Sequence, residues 1–344
     1  MRPEGRAAGA IRPFDARPRA TTRSPVASRR TDVGAITREE RLAGALLGLL
    51  VGDALGVPYE FSPPGRIPSR DAIEMTPPPS FARAHGRVPV GTWSDDGAHA
   101  LCLLASLLES DRLDLDDFGR RLVAWYRQGA MAVGGIVFDV GIQTETAIHR
   151  LIDGVPASQS GASDEWANGN GSLMRVAPLA LWHRGSDEEL VQDAHQQSVV
   201  THGHPRAQVC CGLYCVWLRR ILEGHAEPWS EAVATVRRVY DGSPQYRDEL
   251  ESEVRPDDPT LGEGTGYVVD TLRSVRDVTA SEASYEDVVR AAIVLGNDTD
   301  TTACIAGAVA GARYGARGIP ERWLAHLRGR EIVDPLLERL ARRG

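Results

Sequence analysis

The chain has 344 residues and a formal charge of −8, with 42% hydrophobic and 25% charged residues. That balance supports a sizeable core and excludes wholesale disorder, while the acidic total argues against a nucleic-acid backbone as the main partner. All 39 basic residues are arginine, which excludes a lysine Schiff base and a P-loop lysine.

Residues 1–36 hold eight Arg against Glu4, Asp15 and Asp32, and scatter Pro3, Pro13, Pro18 and Pro25. With almost no apolar periodicity, the stretch reads as a disordered, Arg-rich arm. Its prolines spoil the amphipathic helix that a transit peptide needs. Thr37-Arg-Glu-Glu40 has the form of a capping box, so the folded part is expected to run over 37–344. The helix it opens, through about Asp53, is apolar nearly all round and carries Gly44, Ala45, Gly48 and Gly52. That pattern suits a central, closely packed helix. Its most apolar run, Leu42–Val51, is about half the length needed to span a membrane. Pro58, Pro63, Pro64, Pro68 and Pro77 to Pro79 then predict a long irregular loop to about residue 90, of a length that is usually functional.

Beyond the loop, periodicity predicts helices over 97–109, 116–128, 143–153, 172–183, 187–199, 205–223, 230–240, 266–277, 284–295, 301–314, 319–328 and 334–342. Strand-like alternation is almost absent and no solenoid-length repeat occurs, so the expectation is one compact all-α domain. The five cysteines are odd in number and form no C-x-x-C pair. A reduced, cytoplasmic setting away from membranes fits them.

Acidic residues concentrate in two places. Thr92-Trp93-Ser94-Asp95-Asp96-Gly97 precedes one apolar helix, and Gly296-Asn297-Asp298-Thr299-Asp300-Thr301 precedes another. Either cluster alone reads as a helix cap. A cap needs one oxygen, however, and each cluster supplies two carboxylates and a hydroxyl. Carboxylates crowded against apolar helices repel and lose hydration unless a cation compensates them. The donors are all oxygen, which suits Mg²⁺, with Mn²⁺ as a substitute, rather than zinc. If the clusters meet in space, they can share two ions that clamp a substrate and activate water.

Further residues have both structural and chemical readings. Asp53 near a helix C-terminus is unfavourable by dipole, so it needs a partner or a function. Glu60 is either an exposed loop residue or a buried acid whose raised pKa suits proton transfer. Asp139, flanked by Phe138 and Val140, is either a helix cap or catalytic. Asn168 to Arg175 is a turn, or a helix entrance whose free amides suit a phosphate. In Thr201-His202-Gly203-His204-Pro205, His202 is a structural or a substrate-binding residue; the spacing to Cys210, Cys211 and Cys215 fits no standard zinc site.

Six segments, in this order, resemble the ADP-ribosylglycohydrolase family: G-D-A-x-G (Gly52 to Gly56), S-D-D (Ser94 to Asp96), F-D-x-G (Phe138 to Gly141), N-G-x-x-M-R (Asn170 to Arg175), T-H-x-H-P (Thr201 to Pro205) and G-x-D-T-D-T (Gly296 to Thr301). The resemblance implies a compact all-α fold with a binuclear magnesium centre in a central cleft. By the match, Ser94, Asp95, Asp96, Asp298, Asp300 and Thr301 would be metal ligands. Glu60 and Asp139 would act in proton transfer and on the ribose–guanidinium bond, and Asn170, Gly171, Ser172 and His202 would contact ADP-ribose. The chain departs from the family at Gly97, where a threonine is usual.

The function expected is magnesium-dependent removal of ADP-ribose from a modified protein or small conjugate, with the N-glycosidic arginine linkage favoured. Two alternatives stand beside it. One is a non-catalytic or dual-role immunity or ADP-ribose-binding protein whose basic arm blocks a partner ADP-ribosyltransferase toxin. The other is a two-metal nucleotide phosphohydrolase.

Overall fold

The computed structural model describes residues 36–259 and 261–343. The stretch read as an Arg-rich arm therefore lies, apart from Ile36, outside the described residues. Among those described there are fourteen α-helices and no strand, as the periodicity predicted; two isolated bridges, Ala162 with His202 and Gly169 with Tyr267, are the only β contacts. In chain order the helices are α1 (Arg38–Gly56), α2 (Asp95–Ser110), α3 (Leu115–Gln128), α4 (Ile142–Ile152), α5 (Ala177–Trp182), α6 (Asp187–Val199) and α7 (Pro205–Leu222). The second half adds α8 (Pro228–Val239), α9 (Pro244–Asp248), α10 (Val268–Ser281), α11 (Tyr285–Val294), α12 (Thr299–Tyr314), α13 (Glu321–His326) and α14 (Arg330–Ala341).

Helix α1 begins as its sequence requires. The Thr37 hydroxyl accepts the Glu40 amide at 3.1 Å, and the Glu40 carboxylate accepts the Thr37 amide at 2.9 Å. By length and composition this helix is apolar enough to cross a membrane, yet 94% of its apolar window is buried inside the fold. Its main partner is α12, which is nearly as rich in small residues. Gly44, Gly48, Gly52 and Gly56 face Gly311, Gly307, Ala303 and Asp300 in turn. A Cβ at Gly52 would lie 2.1 Å from the Ala303 carbonyl oxygen, and one at Gly56 only 2.4 Å from the Asp300 Cα. Backbone therefore touches backbone along the whole seam, and the end of α1 is fixed against the start of α12. The hydroxyl of Tyr285 donates to the Gly48 carbonyl at 2.7 Å and anchors α11 on the same pair.

The proline-rich stretch after α1 is irregular as expected, with three single 3₁₀ turns at Val57–Tyr59, Pro64–Arg66 and Arg70–Ala72. Two expectations need correction. The helix read over 172–183 starts only at Ala177, because Leu173 and Met174 both donate to the Asn170 carbonyl and close a tight turn instead. A helical stretch over 244–254, ending in a π-helical segment at Glu249–Val254, was not expected at all. Its run of charged residues hides the two apolar anchors, Leu250 and Val254, that bury it.

Candidate active site

The site forms where three helix ends converge. At the last turn of α1, Asp53 is fully buried and accepts two amides from the start of α2: Ser94 N–H, shared between its two oxygens at 2.9 and 3.1 Å, and Gly97 N–H at 2.8 Å. This supplies the partner that the helix dipole demanded. Burial pushes the Asp53 carboxyl up to about 7, while the amide donors pull it back. The absence of a side chain at Gly97 is also explained. A Cβ there would lie 2.8 Å from both the Leu50 methyl and the Trp93 ring, so Trp93 and Leu50 fill the space a threonine would need.

The two acidic clusters, some 200 residues apart in sequence, meet. Thr301 Oγ1 donates to Asp96 Oδ1 at 3.2 Å, joining the N-termini of α2 and α12. Asp95, Asp96, Asp298 and Thr301 stand in the wall of one cavity of about 660 Å³. Asp300 lies behind them, its Oδ1 accepting the Thr301 amide at 3.0 Å. Ser94 caps α2 by accepting the Asp96 amide at 3.2 Å, which leaves its hydroxyl one lone pair. Burial holds Asp95, Asp96 and Asp300 far above the usual carboxylate range, and the neighbouring acids push the same way.

Two buried carboxylate oxygens, Asp96 Oδ2 and Asp300 Oδ2, have no hydrogen-bond partner among the described residues. One ligating atom from each of Glu60, Asp298 and Asp300 falls within 4.8 Å of the others. Orphaned, buried, all-oxygen donors in that number fit a hard divalent cation, since an uncompensated charge there is strongly unfavourable.

Glu60, at the mouth of the proline loop, is buried and lies 2.7 Å from His85 Nε2. Burial, reinforced by Asp139 and Asp298, pushes its carboxyl up to about 8. The Glu60 contact in turn raises His85. Asp139 completes this group, with its carboxylate within 4.8 Å of the Glu60 and His85 donors. Its backbone is left-handed, φ +54°, and its pKa is raised, chiefly by burial. Asp139 is therefore no helix cap; the structure turns it into the cavity.

The opposite wall is the turn 168–175. Asn170 donates through its side chain to Asp298 Oδ2 at 2.7 Å and to Thr271 Oγ1 at 3.0 Å. Gly171 and His202 stand beside it. The Thr201 hydroxyl is 2.7 Å from His202 Nδ1, and burial pushes the imidazole down to about 3, so the ring is neutral. Arg175 anchors the turn from behind through Gln197, donating to its side-chain and main-chain oxygens at 3.1 and 2.9 Å. The expectation for Ser172 is corrected. Its hydroxyl is fully buried, accepts from Ser198 at 2.8 Å, and faces the α6–α7 junction rather than the cavity.

Sequence reasoning missed His85, which has no motif and lies 25 residues from Glu60. It also missed the loop Gly262-Glu263-Gly264-Thr265-Gly266, which contributes Thr265 and Gly266 to the wall. Three alternating glycines just before a helix were a usable signal there. Among the described residues, no arginine stands in the cavity wall.

Comparison with known proteins agrees with this geometry. The family described as ADP-ribosylglycohydrolase matches residues 35–344. The ADP-ribosylarginine hydrolase Tri1 of Serratia proteamaculans is 31% identical, over 88% of this chain and 79% of its own. The ADP-ribosyl-[dinitrogen reductase] glycohydrolase of Rhodospirillum rubrum is 30% identical, over 84% and 90%. A solved structure titled "ADP-ribosylglycohydrolase-related protein complex" superposes with a TM-score of 0.70 and 34% identity, covering 89% of this chain and 98% of that one. With that coverage, and with the acids of α2 and α12 joined in one cleft, the chain belongs to the ADP-ribosylglycohydrolase family and is an enzyme that hydrolyses ADP-ribosyl bonds.

Proposed function

We propose that the protein is a Mg²⁺-dependent hydrolase that releases ADP-ribose from modified arginine. The observation that carries this reading is the junction of Asp96 and Thr301, with orphaned carboxylate oxygens on both sides of it. Ser94, Asp95, Asp96, Asp298, Asp300 and Thr301 would hold two ions, with Mn²⁺ as a substitute. When bound, the ions supply attachment for ribose hydroxyls and polarise a water. The residues of the chain do the rest. Asn170 fixes Asp298, and neutral His202 with the Gly171 amide offers polar contacts to the bound sugar phosphate. Glu60, raised to about 8, carries a proton at neutral pH and can hand it to the departing nitrogen. Asp139 faces the same point and is placed to take the proton of the attacking water. The bond from ribose C1″ to nitrogen breaks as the water oxygen bonds to C1″, giving free ADP-ribose and arginine.

The substrate class rests on acidity. A substrate guanidinium is cationic, and a cavity wall lined by acids, with no arginine among the described residues that form it, suits that charge. Five buried, unpaired cysteines support a reducing, cytoplasmic setting. Parallel assays on ADP-ribosyl-arginine and ADP-ribosyl-serine test the linkage. Release from the arginine conjugate at a kcat/KM well above that for serine is expected, and a preference for serine would overturn it.

A further inference from the structure

Of the three groups of metal-ligating side chains that come together among the described residues, one contains sulfur. One ligating atom from each of Asp53, Asp96 and Cys304 lies within 4.8 Å of the other two, and all three residues are buried. Sulfur bonded at about 2.3 Å and oxygen at about 2.0–2.2 Å to one ion stand no more than about 4.5 Å apart, so the three atoms need move little to share it. The group lies beneath the cleft. Asp53 comes from the end of α1, Asp96 from the start of α2, and Cys304 sits one turn along α12 from Asp300. Asp96 also stands in the cavity wall, which gives a cation its way in.

Two observations set this group apart from ordinary packing. Asp96 Oδ2 is buried and has no hydrogen-bond partner among the described residues, although Oδ1 accepts the Thr301 hydroxyl. The Cys304 thiol has only the Met174 carbonyl at 3.8 Å, a weak contact. From Ala303 to Ala312 every other side chain of α12 is that of Ala, Gly, Ile or Val, so Cys304 alone in that stretch can bind an ion.

We propose that Asp53, Asp96 and Cys304 form a binding site for a thiophilic divalent cation such as Zn²⁺ or Cd²⁺, distinct from the all-oxygen centre but sharing Asp96 with it. The thiol passes its proton to solvent as its sulfur bonds the ion. Two carboxylates and a thiolate suit a soft or borderline cation, whereas Mg²⁺ takes oxygen alone. An ion held here engages Asp96 from behind, so it opposes Mg²⁺ and inhibits the enzyme. That consequence rests on the reading of Asp96 as a magnesium ligand; the sulfur site itself does not.

The test uses the full-length protein, as wild type and as Cys304→Ala, with Cd²⁺ as the probe. Cadmium bonded to a thiolate gives a charge-transfer band in the ultraviolet, which reads the site without any substrate. The wild type should show the band and lose it to excess Mg²⁺, while the variant should show no band and bind Cd²⁺ at least roughly tenfold more weakly. The Zn²⁺ concentration that halves ADP-ribose release should rise by a similar factor in the variant. A wild type without the band, or a variant that keeps it, would overturn the site. A band that excess Mg²⁺ leaves unchanged would overturn the sharing of Asp96. Wild-type protein inactive with Mg²⁺ would refute the magnesium reading instead, and the band would still decide the sulfur site. Should Cys304→Ala melt early, Cys304→Ser read by the same band gives the decision.

Discussion

Replacing Gly56 with alanine asks whether the α1–α12 seam sets the geometry of the acids. The new Cβ would sit 2.4 Å from the Asp300 Cα and 2.5 Å from the Thr299 carbonyl oxygen, where ordinary contact begins at 3.4 Å. Both obstacles are backbone, so the start of α12 must retreat by about 1 Å. Thr301 and Asp96 are already 3.2 Å apart and would separate. Overpacking of this kind costs about 1–3 kcal/mol, offset in part by the better helix propensity of alanine. A displacement of that size at a reacting centre costs roughly 100-fold in rate. Gly44→Ala is the control. Its Cβ would meet the Gly311 carbonyl oxygen at 2.2 Å, an equally severe clash, but three turns away along α1 at about 18 Å. The assay pairs the melting temperature with kcat on ADP-ribosyl-arginine. Both variants should lose similar stability, while only Gly56→Ala loses most of its activity. Equal activity loss in the two, or an active Gly56→Ala enzyme, would refute the seam as the element that positions Asp300.

Other consequences can be checked separately. Asp300→Asn should abolish divalent-cation binding measured by calorimetry while the protein stays folded, because it removes the charge and leaves the shape. His85→Ala frees the Glu60 carboxyl, so kcat should fall with KM little changed, and His85→Gln, which keeps a donor, should restore part of it. Burial pushes His195 down to about 3; the folded state therefore refuses a proton that the unfolded chain accepts below about 6.5. Stability from this group is complete above that value and is lost as pH falls toward 3, at about 1.4 kcal/mol per pH unit. His195→Gln, which can still reach the Tyr240 hydroxyl now 2.8 Å from the ring, should flatten that acid limb in urea titrations. The buried acids have the opposite sign. Their raised folded pKa values favour the metal-free fold at low pH, and that support is lost as pH rises through about 7 to 8, where Asp53 and Glu60 ionise. Mg²⁺ should therefore raise the melting temperature more at pH 8 than at pH 6; an equal rise at both would contradict this.

Much of the site was legible because its chemistry is local in sequence. Each acidic cluster sits at a helix start, where caps and small residues mark the boundary, and the glycines of α1 announced a close partner before α12 was known to be it. Asp53 was flagged by its dipole alone, and the structure supplied its two amide donors. What stayed hidden depends on direction or distance. Ser172 shares a turn with Asn170, but two residues further along the turn its hydroxyl points into the core toward Ser198. His85 reaches Glu60 only because the proline loop folds back, with Ala84 N–H donating to the Pro58 carbonyl at 2.9 Å. No periodicity reports such a contact.

The most direct test of the account is ADP-ribose release from ADP-ribosyl-arginine by protein stripped with a chelator and then resupplied with Mg²⁺. The account predicts no release from the stripped protein and recovery on adding the ion, with no inorganic phosphate formed. Undiminished release without any divalent ion would contradict it.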